Sequence, residues 1–193
     1  MSKIIDHIIQ IDRDLLVFLN NLGSINFDPV WLILTDKLFY IPFFIYILYV
    51  LNRSFGFKKF IIILLTISLL IFITDQFTNL IKDFFERLRP CRDDSINYLL
   101  RSIDVRCGKY GFFSAHAANS MAISTLIYKL LRFEKLKLLK ILLFSWVIIF
   151  SYSRIYLGVH FPLDSIFGLL TGFVFGHIFY NFLFKFINRQ KSN

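Results

Sequence analysis

Five long apolar runs limit what this chain can fold into more strongly than any other feature of its sequence. Each run is about long enough to cross a hydrocarbon layer of about 30 Å as an α-helix. A soluble fold would need five buried helices with almost no polar outer face, and 56% of the residues are hydrophobic. We therefore predict an all-α integral membrane protein, a single domain over 1–193 with a transmembrane core over 29–187. The core is a bundle of five, or six, spanning helices, and the five runs are 29–51, 60–81, 114–131, 138–157 and 162–187.

The first 21 residues have a different pattern. Apolar side chains recur there at helical spacing, while charged residues such as Asp6, Asp12 and Arg13 fall largely between them. This alternation predicts an amphipathic helix over 1–21 that lies in the membrane interface and does not span it. The apolar positions are Ile4, Ile5, Ile8, Ile11, Leu15 and Leu19.

The net charge of +9 is concentrated in three basic sets that contain a single acid, Glu134. Alternate basic loops are typical of the cytoplasmic side of a membrane protein, whereas nucleic-acid binding needs one continuous basic face. We therefore expect lipids and no nucleic acid as partners, and we expect the bacterial inner membrane as location. The segments opposite these sets would then face the periplasm. The three sets are Arg53, Lys58 and Lys59; Lys129, Arg132, Lys135, Lys137 and Lys140; and Lys185, Arg189 and Lys191.

Cys91 and Cys107 are the only cysteines, and both lie in the loop 91–113 on the predicted outer side. An oxidising compartment there favours a disulfide between them, with two free thiols as the alternative. A metal site is not favoured because no nearby histidine completes a ligand set. The mixed charges of this loop are typical of a solvated segment, and its use as a lid over a site stays open.

Three charged motifs fall on the same outer side although they are far apart in sequence. Together they contain three cations, two imidazoles and one carboxylate near the ends of apolar runs. Such a set suits the binding of a phosphate group. The motifs are Lys82-x6-Arg89-Pro90, Phe113-Ser114-Ala115-His116, and Ser153-Arg154-x5-His160-x3-Asp164.

The spacing within two of these motifs has a chemical meaning. His160 and Asp164 are four residues apart, so the carboxylate can fix the tautomer of the imidazole and leave its other nitrogen free to attack. Ser114 is a good N-cap for a helix that begins at Ala115, and helix N-termini bind phosphate. His116 then lies in the first turn, where it could donate a proton. The alternative is that these residues only cap helices and anchor them at the interface.

Two further alternatives concern the charged residues. His116, His160 and Asp164 could bind a metal ion, but the neighbouring cations favour an anion, so we expect neither metal nor cofactor. Asp75 within a predicted span is interpreted as a structural partner.

Glycines four residues apart favour close packing of the last helix within the chain over dimerisation, and the oligomeric state stays open. These glycines are Gly168, Gly172 and Gly176.

Over about 29–187 the chain resembles the type 2 phosphatidic acid phosphatase family, which is related in fold to vanadium haloperoxidases and bacterial class A acid phosphatases. The signature of that family is K-x6-R-P, then P-S-G-H, then S-R-x5-H-x3-D. The first and third parts are complete here. The middle part departs from the pattern, because Phe113 replaces proline and Ala115 replaces glycine.

The resemblance implies a phosphatase that works without metal. In it, His160 would be the nucleophile that forms a phosphohistidine, Asp164 its orienting partner, and His116 the general acid and later the base. The remaining family residues would hold the phosphate, and alanine at position 115 keeps the N–H group that this requires. By position these residues are Lys82, Arg89, Ser114, Ala115 and Arg154.

The resemblance and the membrane setting together predict a lipid phosphatase that acts at the periplasmic face. The small size favours undecaprenyl pyrophosphate as substrate, with lipid A or phosphatidylglycerophosphate as alternatives. A lipid phosphotransferase with the same phosphohistidine is a further alternative. A non-catalytic membrane scaffold and a transporter are not favoured, because the charged residues are intact and gather at one face.

Overall fold

The structure is a computed structural model that describes residues 2–101 and 103–189. Over these residues the chain forms seven α-helices and three short 3-10 turns, with one isolated β-bridge between Leu88 and Tyr110. The predicted all-helical fold is therefore confirmed. The helices are α1 (Ser2–Asn21), α2 (Asp28–Thr35), α3 (Ile41–Phe55), α4 (Phe57–Phe85), α5 (Ala115–Leu130), α6 (Lys137–Tyr156) and α7 (Pro162–Arg189).

The predicted span 29–51 is not one continuous helix. Helix α2 ends at Thr35, a 3-10 turn follows over Lys37–Tyr40, and α3 begins at Ile41. Asp36 produces the break, because its carboxylate accepts a hydrogen bond of 2.9 Å from the backbone N–H of Leu38. An aspartate side chain that bonds two residues ahead competes with the helical pattern, which the apolar composition alone did not indicate.

Four helical segments in the described part of the chain are long and apolar enough to cross a membrane, one fewer than the five runs predicted. They are Lys37–Phe55, Phe57–Phe85, Lys137–Tyr156 and Pro162–Phe186. The remaining run forms α5, whose 16 residues are shorter and less apolar. Helix α5 packs against α4, α6 and α7. Because α5 lies against three other helices, its side chains must be small enough for close packing. An apolar outer face is less important for it.

The most extensive packing in the bundle joins α5 to α7 through the glycines predicted to support the last helix. A Cβ atom on Gly168 would lie 2.6 Å from the carbonyl oxygen of Ser114. On Gly176 it would lie 2.5 Å from that of Ala122, and a Cβ on Gly172 would meet Ala118 in the same way. The glycines therefore let the two backbones touch within one chain.

The connections α3–α4 and α5–α6 lie at one end of the bundle, and they carry two of the three basic sets. Lys129 near the end of α5 contacts His177 in α7, with 2.6 Å between Nζ and Nδ1. This contact joins the last turn of α5 to the middle of α7. Of the third set, the side chain of Arg189 is not described and Lys191 lies outside the described residues.

The loop 91–113 lies at the other end, next to α1. The predicted disulfide is confirmed: Cys91 and Cys107 are bonded, with their Cα atoms 6.5 Å apart. The backbone N–H of Arg89 also donates to the carbonyl of Lys109 over 3.1 Å. Helix α1 packs its buried side, which includes Leu16, against this end. Its predicted apolar positions from Ile4 to Leu15 are exposed, as an interfacial helix requires.

Candidate active site

The structure brings the three charged motifs together at one end of the bundle. The segment 153–160 turns back on itself, since the N–H groups of Val159 and His160 both donate to the carbonyl of Arg154. The N–H of Ser114 donates to the carbonyl of Asp164 over 3.0 Å, which joins the second motif to the third. Gly111 lies between the first and third, because a Cβ there would stand 3.1 Å from Asp164 Oδ2 and 3.2 Å from Arg89 Cγ.

His160 and Asp164 form the pair that their spacing predicts. The imidazole Nδ1 lies 3.2 Å from Asp164 Oδ2, which also accepts a hydrogen bond of 3.0 Å from the N–H of Phe161. Pro162 begins α7, so Asp164 lies in the first turn of that helix. Both side chains are buried, at 1% and 0% exposure. Because Nδ1 faces the carboxylate, Nε2 is the nitrogen left for chemistry.

The charge state of His160 follows from its surroundings. Burial lowers the pKa of His160 well below its usual value of 6.5, and the positive charges of Arg89, Arg154 and Lys82 lower it further. The imidazole is therefore neutral at physiological pH. A neutral ring keeps a lone pair on Nε2, which a nucleophile requires.

Ser114 caps α5 as its sequence predicts. Its hydroxyl accepts a hydrogen bond of 3.4 Å from the N–H of Ala117. Among the described residues, positive φ angles occur at Gly56, Glu86 and Gly158, so the backbone at Ala115 does not need a glycine. The departure from the family signature at this position is therefore compatible with a helix N-terminus whose N–H groups remain available.

The other departure, Phe113, is a packing residue. It is 4% exposed, and its ring lies 6.1 Å from that of Phe77 in α4. His116 one turn later packs against Phe150 in α6, with 4.8 Å between ring centroids and 34° between the ring planes. The second motif is thus held between α4 and α6 by aromatic contacts.

Two of the three predicted phosphate-binding cations are oriented by uncharged partners. Arg154 is 6% exposed and donates from Nη1 to the hydroxyl of Thr35 over 2.7 Å, while Arg89 donates from Nε to the carbonyl of Tyr110 over 3.0 Å. In the described part of the chain, the Nε of Arg154 has no hydrogen-bond partner. Among the residues that the structure describes, no carboxylate lies within 4.0 Å of the charged nitrogens of Arg89, Arg154 or Lys82. The cations are therefore available to an anion.

Sequence reasoning missed three residues that support the site. Arg87 forms ion pairs with Asp164 over 2.9 Å and with Asp12 of α1 over 2.7 Å. Thr35 at the end of α2 receives the hydrogen bond of Arg154 described above. Arg87 lies among the unspecified positions of the first motif, and no spacing marked it. The polar side of α1 was visible in the sequence, but not that one of its carboxylates is buried.

The predicted structural partner Asp75 lies below His116. Its carboxylate accepts a hydrogen bond of 2.9 Å from the side-chain amide of Asn119. Both residues, together with His116, line a cavity of about 390 Å³ between α3, α4, α5 and α6. Most of the lining is apolar, and it extends from His116 down to Ile127. The cavity therefore extends from His116, at the end of the bundle where the three motifs meet, into its interior.

The described residues offer no metal site. Over 2–101 and 103–189, no three side chains of histidine, cysteine, aspartate or glutamate come together in a way that could hold a metal ion. His116 packs against Phe150, whereas His160 faces Asp164. His160 and Asp164 are thus two candidate ligands in contact, and fixed positive charges lie beside them. Such an arrangement suits an anion better than a divalent cation.

Known proteins resemble this chain in sequence. Residues 59–188 match the family model of the PAP2 superfamily. A lipid A 4'-phosphatase of Bacteroides thetaiotaomicron is 32% identical, and the alignment covers 98% of this chain and 84% of the relative. A lipid A 4'-phosphatase of Porphyromonas gingivalis is 30% identical over 91% of this chain and 74% of the relative.

Two crystal structures also share the fold. A transmembrane PAP2 type phosphatidylglycerolphosphate phosphatase from Bacillus subtilis superimposes with a TM-score of 0.71, at 19% identity, over 93% of this chain and 87% of that one. LpxE from Aquifex aeolicus superimposes with a TM-score of 0.65, at 26% identity, over 87% and 93%. The sequence motifs, the helical fold and these relatives agree: the chain belongs to the PAP2 superfamily and is a membrane lipid phosphatase.

Proposed function

We propose that this protein removes a phosphate monoester from lipid A or a closely similar phosphorylated glycolipid. The names of the two sequence relatives, both lipid A 4'-phosphatases, support this substrate. They favour the alternative of our sequence analysis over undecaprenyl pyrophosphate, which the small size of the chain had favoured. Small size is a weak guide, because members of one fold differ in substrate through the walls of the site.

The observation that carries the proposal is the pair of His160 and Asp164 beside uncommitted cations. The neutral imidazole presents Nε2, while Asp164 holds Nδ1 at 3.2 Å. Lys82 and Arg89 supply positive charge from the first motif, and Arg154 supplies it from the end of α6. Phosphoryl transfer depends mainly on positioning and on neutralising the phosphate oxygens, and this arrangement supplies both.

In the first step, Nε2 of His160 attacks the phosphorus and the bond from phosphorus to the lipid oxygen breaks. The N–P bond makes the imidazole positive, and the carboxylate of Asp164 stabilises that charge. The negative charge of the bound phosphate favours the protonated form of His116 against the neighbouring cations. His116 gives that proton to the departing lipid oxygen, so that a neutral alcohol leaves. The cations and the N–H groups at the start of α5 hold the phosphate oxygens throughout.

In the second step, water attacks the phosphohistidine. His116, now without its proton, takes a proton from that water. The P–N bond breaks, its electron pair returns to Nε2 of His160, and inorganic phosphate leaves. The enzyme is then in its starting state, and one lipid phosphate and one water have become one lipid alcohol and one phosphate.

The cavity of about 390 Å³ supports a lipid leaving group. It begins at His116, the proposed acid, so the part of the substrate that departs would lie on this side of the phosphate. Its lining further down is made of side chains such as Phe44, Ile67 and Ile123. Apolar walls of this kind suit an acyl chain, and soluble phosphate esters would gain nothing from them.

The proposed orientation places the site on the periplasmic side of the bacterial inner membrane. The basic connections α3–α4 and α5–α6 lie at the opposite end of the bundle, which favours the cytoplasm for that end. The disulfide between Cys91 and Cys107 lies at the same end of the bundle as the site, and an oxidising compartment favours such bonds. Both features support the same orientation independently.

The test is phosphate release by the purified protein in detergent with a chelator present. Bisphosphorylated lipid A, undecaprenyl pyrophosphate and phosphatidylglycerophosphate are compared, with His160→Ala as the inactive control. We expect release from lipid A, and mass spectrometry of the lipid identifies the position that lost its phosphate. Faster release from either other lipid would refute the proposed substrate.

A second assay separates hydrolysis from transfer. The phosphotransferase alternative predicts that a lipid acceptor gains the phosphate, so the lipid products are examined with and without added acceptor. We expect inorganic phosphate equal to the lipid alcohol formed. A newly phosphorylated lipid in place of free phosphate would favour the transferase, and an active His160→Ala variant would refute the phosphohistidine.

A further inference from the structure

Arg87 lies between two buried carboxylates that come from opposite ends of the chain. Its Nη1 donates to Asp164 Oδ1 over 2.9 Å, and its Nη2 donates to Asp12 Oδ2 over 2.7 Å. Asp12 and Asp164 are 2% and 0% exposed, so both carboxylates depend on protein partners for their charge. The guanidinium also lies over the ring of Phe161, 4.0 Å from its centroid. Two carboxylates and one aromatic ring therefore fix the orientation of the guanidinium plane.

Asp12 contacts the catalytic helix as well. Its Oδ1 accepts a hydrogen bond of 2.8 Å from the N–H of Leu163, next to Asp164 in the first turn of α7. One carboxylate of the interfacial helix α1 therefore holds both the backbone and, through Arg87, the side chain of the residue that faces His160. The two oxygens of Asp12 and the two terminal nitrogens of Arg87 are all used.

The charges of this row alternate in sign. Asp12 is negative, Arg87 positive and Asp164 negative, and the row ends at His160, which becomes positive when the phosphohistidine forms. Without Asp12, Arg87 would interact with Asp164 alone, and its full positive charge would offset more of the negative charge that Asp164 presents to the imidazole. With Asp12 present, Arg87 is shared between two carboxylates, and Asp164 keeps more of its negative charge for His160.

We propose that Asp12 and Arg87 are positioning residues of the phosphatase, and that α1 supplies part of the apparatus that stabilises the phosphohistidine. The proposal rests on the proposed function in that it takes His160 as the nucleophile. It gives the interfacial helix a role in the chemical step, beyond the attachment to the membrane that its amphipathic pattern predicts.

A second buried contact of α1 shows what a purely structural role looks like. Asn20, eight residues further along the same helix, donates to the carbonyl of Tyr156 over 2.6 Å and accepts from the N–H of Arg101 over 2.8 Å. These bonds attach α1 to α6 and to the outer loop without contacting Asp164. Asn20 therefore provides a matched control for the loss of a buried polar contact on α1.

The experiment measures kcat, KM and thermal unfolding for Asp12→Asn, Arg87→Gln, the double variant and Asn20→Ala. We expect Asp12→Asn to lower kcat about tenfold, which corresponds to about 1.4 kcal/mol, with KM close to that of the wild type. Arg87→Gln should lower kcat further. Asparagine at position 12 keeps an oxygen that can accept from the N–H of Leu163, so Asp12→Asn acts through the lost charge on Arg87. The double variant should therefore be no slower than Arg87→Gln alone. Asn20→Ala should lower the unfolding temperature and leave kcat close to the wild-type value.

Two kinetic results from the Asp12 and Arg87 variants would overturn the proposal. One is an unchanged kcat in Asp12→Asn. The other is a double variant whose loss equals the product of the two single losses, since that outcome means that Asp12 and Arg87 act independently. If Asn20→Ala loses as much kcat as Asp12→Asn, the loss comes from weaker attachment of α1 alone. That result would also overturn the proposal.

Vanadate binding separates this proposal from the proposed substrate. A five-coordinate vanadate bonded to Nε2 resembles the transition state of the attack and makes the imidazole positive, whereas bound phosphate does not. We expect Asp12→Asn to weaken vanadate binding about tenfold and phosphate binding little. If no tested lipid is hydrolysed but vanadate binding responds in this way, the proposed substrate fails and the positioning role stands. Equal weakening of both anions, or no vanadate binding by the wild type, would overturn the role.

Discussion

The contact between Gly168 and Ser114 allows a quantitative prediction for Gly168→Ala. A Cβ at this position would lie 2.6 Å from the carbonyl oxygen of Ser114 and 3.0 Å from the Cβ of Ala117, whereas an ordinary contact begins at 3.4 Å. The backbone of α7 would therefore have to move away from the start of α5 by about 0.8 Å, the difference between these values. That movement stretches the hydrogen bond of 3.0 Å between Ser114 N and Asp164 O.

The displacement separates the two halves of the proposed site. In the proposed mechanism, Ser114 and the N–H groups of α5 hold the phosphate, while Asp164 on α7 orients the nucleophile. A misplacement of about 1 Å in an active site can cost about 100-fold in rate, so we expect kcat/KM to fall about 30- to 100-fold. Overpacking should also lower the free energy of unfolding by about 1–3 kcal/mol.

Gly176→Ala is the matched control. It introduces the same methyl group into the same interface, 2.5 Å from the carbonyl oxygen of Ala122, but eight residues, or about 12 Å, further from the site. Thermal unfolding of both variants in detergent should show similar losses of stability. Phosphate release at several substrate concentrations should then show the larger loss of kcat/KM in Gly168→Ala.

The comparison of the two variants can refute this reasoning. Equal losses of kcat/KM would mean that the α5–α7 interface acts on the site only through overall stability. An active Gly168→Ala variant with an unchanged unfolding temperature would mean that the helices move apart without consequence, and that the close contact does not position Ser114 against Asp164.

Two further predictions concern pH and the disulfide. The pKa of His160 is far below 6.5 in the folded protein and ordinary in the unfolded chain, so the unfolded chain binds more protons below about pH 6.5. The free energy of unfolding should therefore fall as the pH drops from 8 to 5, and thermal unfolding of His160→Gln should show a smaller fall; an equal fall would contradict the buried neutral imidazole. Replacing Cys91 and Cys107 by serine should lower the free energy of unfolding by about 2–4 kcal/mol, because the bond closes a long loop. The KM for the lipid should rise, since the backbone hydrogen bond between Arg89 and Lys109 lies directly beside this disulfide. An unfolding temperature that does not respond to reductant would contradict the predicted loss of stability.

The sequence was sufficient for those parts of the structure that depend on local pattern. Hydropathy located the four helical segments that are long and apolar enough to cross a membrane, although it also predicted 114–131 as a span. The spacing of His160 and Asp164 predicted a pair that lies 3.2 Å apart. The N-cap at Ser114 and the bond between Cys91 and Cys107 were also predicted. In each case the physical cause acts over a few residues or within one loop.

The parts that were missed depend on contacts between distant segments. Asp12 and Arg87 are 75 positions apart, and each has the pattern of a surface residue when taken alone. Thr35 contacts Arg154 only because α2 ends beside α6, which followed from a break at Asp36 that hydropathy did not indicate. Such pairings depend on the tertiary fold, and a single sequence carries no local signal for them.

The cavity beneath His116 has an evolutionary consequence. Part of its wall, such as Ile47 of α3 and Ile67 of α4, carries none of the proposed phosphate-binding residues. Ile67 is 15 residues, or about 22 Å along the helix, from Lys82 on the same α4. Under the proposed function, mutations in this wall would change which acyl chains fit while the phosphoryl chemistry stays intact. A chain with this architecture can acquire a new lipid substrate by drift in one wall, and a protein engineer could take the same route.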